Sequence, residues 1–365
     1  MSDTSDRTVS GPGSGIRATR RSSVVAVALL DAAPEWDRLT ALLAPGTATA
    51  DEFRHRIVEV PLGLEIPRRA VDVSWQLDRI TVPTTGRVGD VLDHATTVHT
   101  AGDDHPHWGL TLIDGLTGGQ AALVIRVVPP GRVTDDSPGI PGSVWEWLRS
   151  MPEYAARTVR DTTDYLAGTA AAMVRSVLTP GAPPIRIPSE AGTAPRLHVL
   201  DVPATTLREV TVAAGCAPES GIAAAVLLAH AEYRTHRGAP GGGSGGVGVD
   251  EPLLDDGTSP IELMRRVDAL AVDAPGDPAP AARLFGPDDV LTCAVPGSPT
   301  PLHIAGAGIE RYYGFGLTYG SAFNATLVPY HDTSCVGLSV DPIAVPDRAE
   351  FDSCLRSGVR AVLEA

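Results

Sequence analysis

Apolar residues in the first half of the chain gather into short runs separated by polar and glycine-rich breaks. Val24 to Leu30 is an unbroken apolar run of strand length, Pro34 to Leu43 is spaced as a helix, and Phe53 to Val60 reads as another strand. Val88, Val91, Leu92 and Ala95 share one face of a helix predicted over Val88 to Val98. Gly109 to Ile113 and Ala121 to Val128 are strand-like runs joined by Asp114-Gly115-Leu116-Thr117-Gly118-Gly119, which supplies the turn chemistry of a β-hairpin.

Pro129-Pro130-Gly131 and the cluster from Pro138 to Gly142 then break the pattern. A long helical pattern over Val144 to Val177 is placed to bridge two lobes, and residues 180–195 form a proline-rich connector. Arg196 to Val202 opens the second half as a strand. Leu207 to Ala214 and Ser220 to His236 follow as a helix pair, the second nearly all apolar over Ile222 to Ala231 and so predicted to be buried. After a glycine-rich loop from Pro240 to Val247, strands are predicted at Val290 to Ala294, Ala325 to Pro329 and Val336 to Val340, with a closing helix from Arg348 to Leu363. This order is that of an α+β protein in two related halves, 22–179 and 196–365, and the polar residues 1–21 have the composition of a disordered tail.

Composition narrows the chemistry. With 43% hydrophobic residues in 365, the chain can bury a large core. A net charge of -15 argues against nucleic acid as a partner, since phosphate binding needs a basic face. There is no lysine, so Schiff-base, P-loop and lysine-base chemistry are excluded. Cys216, Cys293, Cys335 and Cys354 are scattered without metal-ligand spacing, so neither a metal site nor a disulfide framework is expected, and no cofactor is implied. Arg20-Arg21 before an apolar run resembles a twin-arginine signal, but the run stops at Asp31 and reads better as a core strand. No stretch approaches the roughly 20 apolar residues of a transmembrane helix, and a cytoplasmic location is expected. Gly-x-Ser-x-Gly occurs within Gly241 to Gly246, but low-complexity glycine surrounds the serine instead of the strand and helix that a nucleophile elbow needs.

Four stretches carry a family resemblance. The first is Phe53-Arg54-His55-Arg56-Ile57-Val58 with Trp75 and Leu77-Asp78. The second is Pro106-His107-Trp108, Leu112-Ile113-Asp114-Gly115-Leu116 and Ala122-Leu123-Val124-Ile125-Arg126. The third runs from Val202-Pro203 through Gly215 into the helix at Ile222. The fourth takes in Val295-Pro296-Gly297, Pro301 to Gly306, Phe323-Asn324-Ala325-Thr326-Leu327, Tyr330, Gly337-Leu338 and Ala344-Val345-Pro346-Asp347.

In this order they resemble the wax ester synthase/diacylglycerol acyltransferase family. The resemblance implies two lobes similar to chloramphenicol acetyltransferase and condensation domains, with a tunnel at their interface. It also implies acyl thioester substrates, acyl-CoA or acyl carrier protein, and a histidine of a His-His-x-x-x-Asp-Gly motif as general base.

That motif, carried onto this chain, places Val128 and Pro129 where the histidines belong and Val133-Thr134 where Asp-Gly belongs. No histidine lies between His107 and His198. Glu219-Ser220 replaces the family's Asn-Asp pair, and Cys293-Ala294 replaces Ser-Asn. The expectation is therefore a degenerate active site. The fold would then be repurposed for acyl transfer, condensation or cyclisation in a natural-product or lipid pathway, or would be a pseudoenzyme that binds a ligand, an acyl carrier protein or an active paralogue.

Glu219 is the candidate replacement base, although a glutamate at a helix N-terminus is equally explained by the macrodipole. His107 is a second catalytic candidate, with a structural histidine beside Trp108 as the alternative. Asn324, Asp135, Asp136 and Trp108 are candidate ligand contacts, the two aspartates otherwise being an ordinary solvated loop. The sequence leaves the oligomeric state open.

Overall fold

The computed structural model describes residues 24–40, 77–96, 108–127, 194–238, 254, 257–273, 289–295, 297–318 and 321–365. The predicted tail, the strand over Phe53 to Val60, the bridging helix and the glycine-rich loop lie outside the described residues. So do His107, Asp135 and Asp136.

The first part of the chain gives strands β1 (Val24–Leu30) and β2 (Leu77–Gly86), helix α1 (Val88–Thr96), and strands β3 (Trp108–Leu116) and β4 (Ala121–Val127). The second gives β5 (Arg196–Pro203), α2 (Ala204–Ala214), α3 (Pro218–His236), α4 (Pro260–Asp273), β6 (Val290–Ala294), β7 (His303–Ile304), β8 (Ala307–Phe315), β9 (Phe323–Tyr330), β10 (Thr333–Val340) and α5 (Arg348–Leu363). They form a six-stranded sheet of order β2-β3-β4-β1-β8-β7 and a four-stranded sheet of order β5-β10-β9-β6.

The two sheets do not divide the chain at one point. β7 and β8 come from the last third of the sequence yet extend the first sheet, with β8 antiparallel to β1. β1 therefore has a partner on each edge, and all seven of its residues are buried. Both faces of the strand are covered, so it has no solvent-facing alternate positions, which is why its sequence is apolar throughout.

The second sheet is covered on both faces, and the alternation of side chains shows by what. Phe323, Ala325 and Leu327 of β9 and Val336, Leu338 and Val340 of β10 join a core with α2, α3, α4 and α5. Val328, Tyr330 and Cys335 point the other way, into the core of the first sheet. β10 and β8 approach closely there: a Cβ on Gly337 would stand 2.1 Å from the Gly314 carbonyl oxygen.

Several polar contacts fix this frame. Arg79 pairs with Asp114 at 2.7 Å and ties β2 to β3. Burial works to raise the Asp114 carboxyl, but hydrogen bonds from Thr81 and Arg79 outweigh it and hold the group below the ordinary carboxylate range. Arg126 Nη2 and Nε donate to the His94 and Ala95 carbonyls at 2.5 and 3.3 Å, which caps the C-terminal end of α1 with a cation.

Candidate active site at the end of the first sheet

β1 runs antiparallel to both β4 and β8, so those two strands leave the sheet at the same end. Val24 faces Val127, and Val25 faces both Arg126 and Phe315. With strands spaced about 4.8 Å apart, the two exits lie roughly 10 Å from each other. β3 begins at this end too, because Trp108 pairs with Val127. The backbone thus brings to one end of the sheet two of the stretches singled out in the sequence, Trp108 and the exit of β4 before Val128 and Pro129, together with the exit of β8.

The segment leaving β8 crosses to the second sheet, and Asn324 is placed at the crossing. On β9 it alternates with Phe323 and Ala325, so it faces the first sheet and not the helices. It is 5% exposed, and its Nδ2 donates to the Leu317 carbonyl at 2.8 Å. Its Oδ1 is buried and accepts no hydrogen bond among the described residues. Gly316 makes the approach possible, since a Cβ there would stand 2.6 Å from Nδ2.

Glu219 does not join this group. It is exposed in the first turn of α3, on the helix-covered side of the second sheet. His230, on the same helix, stacks edge-on with Phe323 at 5.5 Å. Eleven residues at 1.5 Å each set Glu219 about 16 Å along the helix axis from that contact. The neighbouring Ser220 has a structural partner: Asp268 of α4 accepts from its Oγ at 2.7 Å and from the Ala217 amide at 2.9 Å. The amide, then the hydroxyl, hold the Asp268 carboxyl below its ordinary value. Sequence reasoning missed Asp268; its signal would have been the amphipathic pattern of α4.

A second polar cluster lies where β5 meets β8. Asp201 accepts from Tyr313 Oη at 2.6 Å and from Arg311 Nε at 2.9 Å. Burial, then the hydrogen bond and charge of Asp201, push the Tyr313 phenol above its ordinary value. Beside it an open recess of about 430 Å³ is lined by Pro301, Arg311, Tyr330, His331 and Asp332. Tyr330 is part of the frame: its hydroxyl accepts from the Leu302 amide at 2.9 Å and donates to the Ile309 carbonyl at 2.8 Å. Among the described residues no single helix is long and apolar enough to cross a membrane.

Two sheets, the first extended by β7 and β8 from the last third of the chain, meet at this seam, and the arrangement is shared with proteins of known structure. The chain superposes on the wax ester synthase/diacylglycerol acyltransferase from Marinobacter aquaeolei VT8 with a TM-score of 0.57 and 20% identity, covering 95% of each chain. It matches the first condensation domain of the CDA synthetase with a TM-score of 0.54 and 15% identity, over 95% of this chain and 91% of that one. These likenesses establish the two-lobed chloramphenicol-acetyltransferase-like fold that the sequence implied.

The family follows from the sequence comparison. The profile of the wax ester synthase/diacylglycerol acyltransferase catalytic domain matches residues 19–129, and that of the family's C-terminal domain matches residues 279–362, together more than half of the chain. A Mycobacterium tuberculosis protein assigned by name to the diacylglycerol O-acyltransferases (strain H37Rv) is 23% identical over 94% of this chain and 88% of its own length. The chain belongs to the wax ester synthase/diacylglycerol acyltransferase family.

Proposed function

We propose that this chain binds an acyl thioester or its acceptor at the seam where β8 crosses to β9, and that it does so without the histidine-driven acyl transfer of the family. The observation that carries the reading is the buried Oδ1 of Asn324, which has no partner among the described residues. Leaving a buried acceptor unmade costs about 1–3 kcal/mol, so it is a position suited to a ligand that brings a hydroxyl or amide donor. The family resemblance supports the acyl class of that ligand, and its condensation-domain relatives in fold support a carrier-bound form.

The sequence supports the absence of the usual base. Val128 and Pro129 follow β4 where the resemblance places the two histidines, and neither side chain can move a proton. Glu219, exposed on the opposite face of the second sheet, is not positioned to take over. A second reading, acyl transfer or condensation in which the substrate supplies its own base, draws on the same Oδ1, which would orient an acceptor hydroxyl for attack.

Titration calorimetry with acyl-CoA, acyl carrier protein thioesters and simple long-chain alcohols tests the proposal. Binding by one of these that falls more than tenfold in Asn324→Leu supports it. Equal affinity in the variant, or no binding of any of the three classes by the wild type, overturns it.

A further inference from the structure

α3 and α5 pack antiparallel along a close seam. A Cβ on Gly358 would stand 2.3 Å from the Ala225 carbonyl oxygen. Further along, the Tyr233 and Phe351 rings meet edge-on at 5.7 Å, and the Tyr233 hydroxyl accepts from the Asp347 amide at 3.1 Å. The last turn of α3 is thereby brought onto the first turn of α5. Glu232 and His236 on α3, and Glu350 and Cys354 on α5, are each four residues apart, so each pair shares one face of its helix.

Three of these side chains converge, and Glu350 stands beside one of them. One ligand atom each of Glu232, His236 and Cys354 lies within 4.8 Å of the others. His236 Nδ1 is 4.0 Å from Cys354 Sγ and 3.3 Å from Glu350 Oε1. A zinc ion with bonds of about 2.0–2.3 Å has tetrahedral edges of about 3.3–3.6 Å, so the cluster would close by about 0.5 Å between the sulfur and the imidazole, and by up to about 1.5 Å where ligand atoms stand at the 4.8 Å limit.

We propose that Glu232, His236 and Cys354 form a site for a borderline-soft divalent cation of the zinc class, with Glu350 beside His236, linking α5 to the helical layer. A donor set of one sulfur, one imidazole nitrogen and carboxylate oxygens fits zinc or cobalt, whereas calcium and magnesium take oxygen alone. Cys354 is fully buried, while His236 is half exposed and offers a way in from solvent. The local charge agrees with this geometry: burial first, then the carboxylates of Glu232 and Glu350, push the Cys354 thiol up to about 11, and a dication would reverse that field. On binding, the Cys354 S–H bond breaks, a metal–sulfur bond forms and the proton leaves to solvent; no electrons are transferred. The site is separate from the Asn324 seam, since it lies on the helix-covered side of the second sheet.

The test is a titration of the chelator-treated full-length chain with cobalt(II), followed by competition with zinc(II). The expected result is one cobalt per chain, a thiolate-to-cobalt charge-transfer band in the near ultraviolet, intense tetrahedral d–d bands, and loss of both on adding zinc. Cys354→Ser should remove the charge-transfer band. His236→Ala, a change at a half-exposed position that keeps the thiol, should weaken cobalt binding more than tenfold and serves alone if the buried serine prevents folding. No charge-transfer band with the wild type at excess cobalt overturns the proposal, as does a band and affinity unchanged in His236→Ala.

Discussion

Asn324 hydrogen-bonds the Leu317 carbonyl at 2.8 Å and so ties β9 of the second sheet to the segment leaving β8 of the first. The contact uses one end of the amide for structure and leaves Oδ1 buried beside the exit of β8. Replacing Asn324 by leucine forfeits one hydrogen bond and also removes a buried unpaired acceptor, two effects of opposite sign and each on the order of 1 kcal/mol. Urea denaturation should therefore show a stability change within about 1 kcal/mol. A loss of several kcal/mol would mean that Oδ1 is already satisfied within the chain.

Asp201 is the hub of the β5–β8 contact, and its two partners separate its roles. Asp201→Ala leaves the buried Tyr313 hydroxyl and the Arg311 guanidinium without this acceptor and should cost about 1–3 kcal/mol. Asp201→Asn keeps one acceptor oxygen and should lose less. Equal stability of the two variants in thermal or urea unfolding would contradict the assignment.

His198 gives a stability profile with a definite sign. Burial depresses its imidazole below the ordinary value, although the Asp352 carboxylate 2.9 Å away works in the other direction. The unfolded chain, with its histidine near about 6.5, therefore binds more protons than the native one just below that pH. Stability should be level above this value and should fall as pH drops from it towards the native pKa, with a slope of at most about 1.4 kcal/mol per pH unit from this group. His198→Gln should flatten this part of the curve in pH-resolved denaturation, and an unchanged slope would show that another group is responsible.

Gly337 tests the seam between the sheets. An alanine there would set its Cβ 2.1 Å from the Gly314 carbonyl, a backbone atom that cannot move aside without shifting β8. Overpacking of this kind costs typically about 1–3 kcal/mol. Gly337→Ala should lower the unfolding midpoint clearly, and a neutral result would mean that β8 and β10 are farther apart than described.

What the sequence conveyed follows from where each element packs. Val24–Leu30 is a strand between two strands and announces itself by an unbroken apolar run; Arg348–Leu363 is an amphipathic helix over one core and shows its period. β8 is not legible in the same way. Glu310-Arg311 interrupts its apolar character, and the reason is local: Arg311 is held by Asp201 of β5, 110 residues away in the chain. Asn324 stands out in the sequence by its place in a motif, but its burial against Gly316 and Leu317, which leaves Oδ1 without a partner among the described residues, depends on the crossing between sheets. The cluster at the end of α3 was invisible for a similar reason. Glu232 and His236 form an ordinary i, i+4 pair, and Cys354 lies 118 residues further on, until the helices are laid side by side.

The most direct test of the central claim offers acyl-CoA and acyl carrier protein thioesters, with simple alcohols as acceptors, to the wild type and to Glu219→Ala, and follows both binding and product by calorimetry and intact mass. The expected result is that an acyl ligand binds, that no ester accumulates over many turnovers, and that Glu219→Ala changes neither. Multiple-turnover ester formation that disappears in Glu219→Ala would contradict it, and would place a relocated base on the face of the second sheet from which the Asn324 seam is turned away.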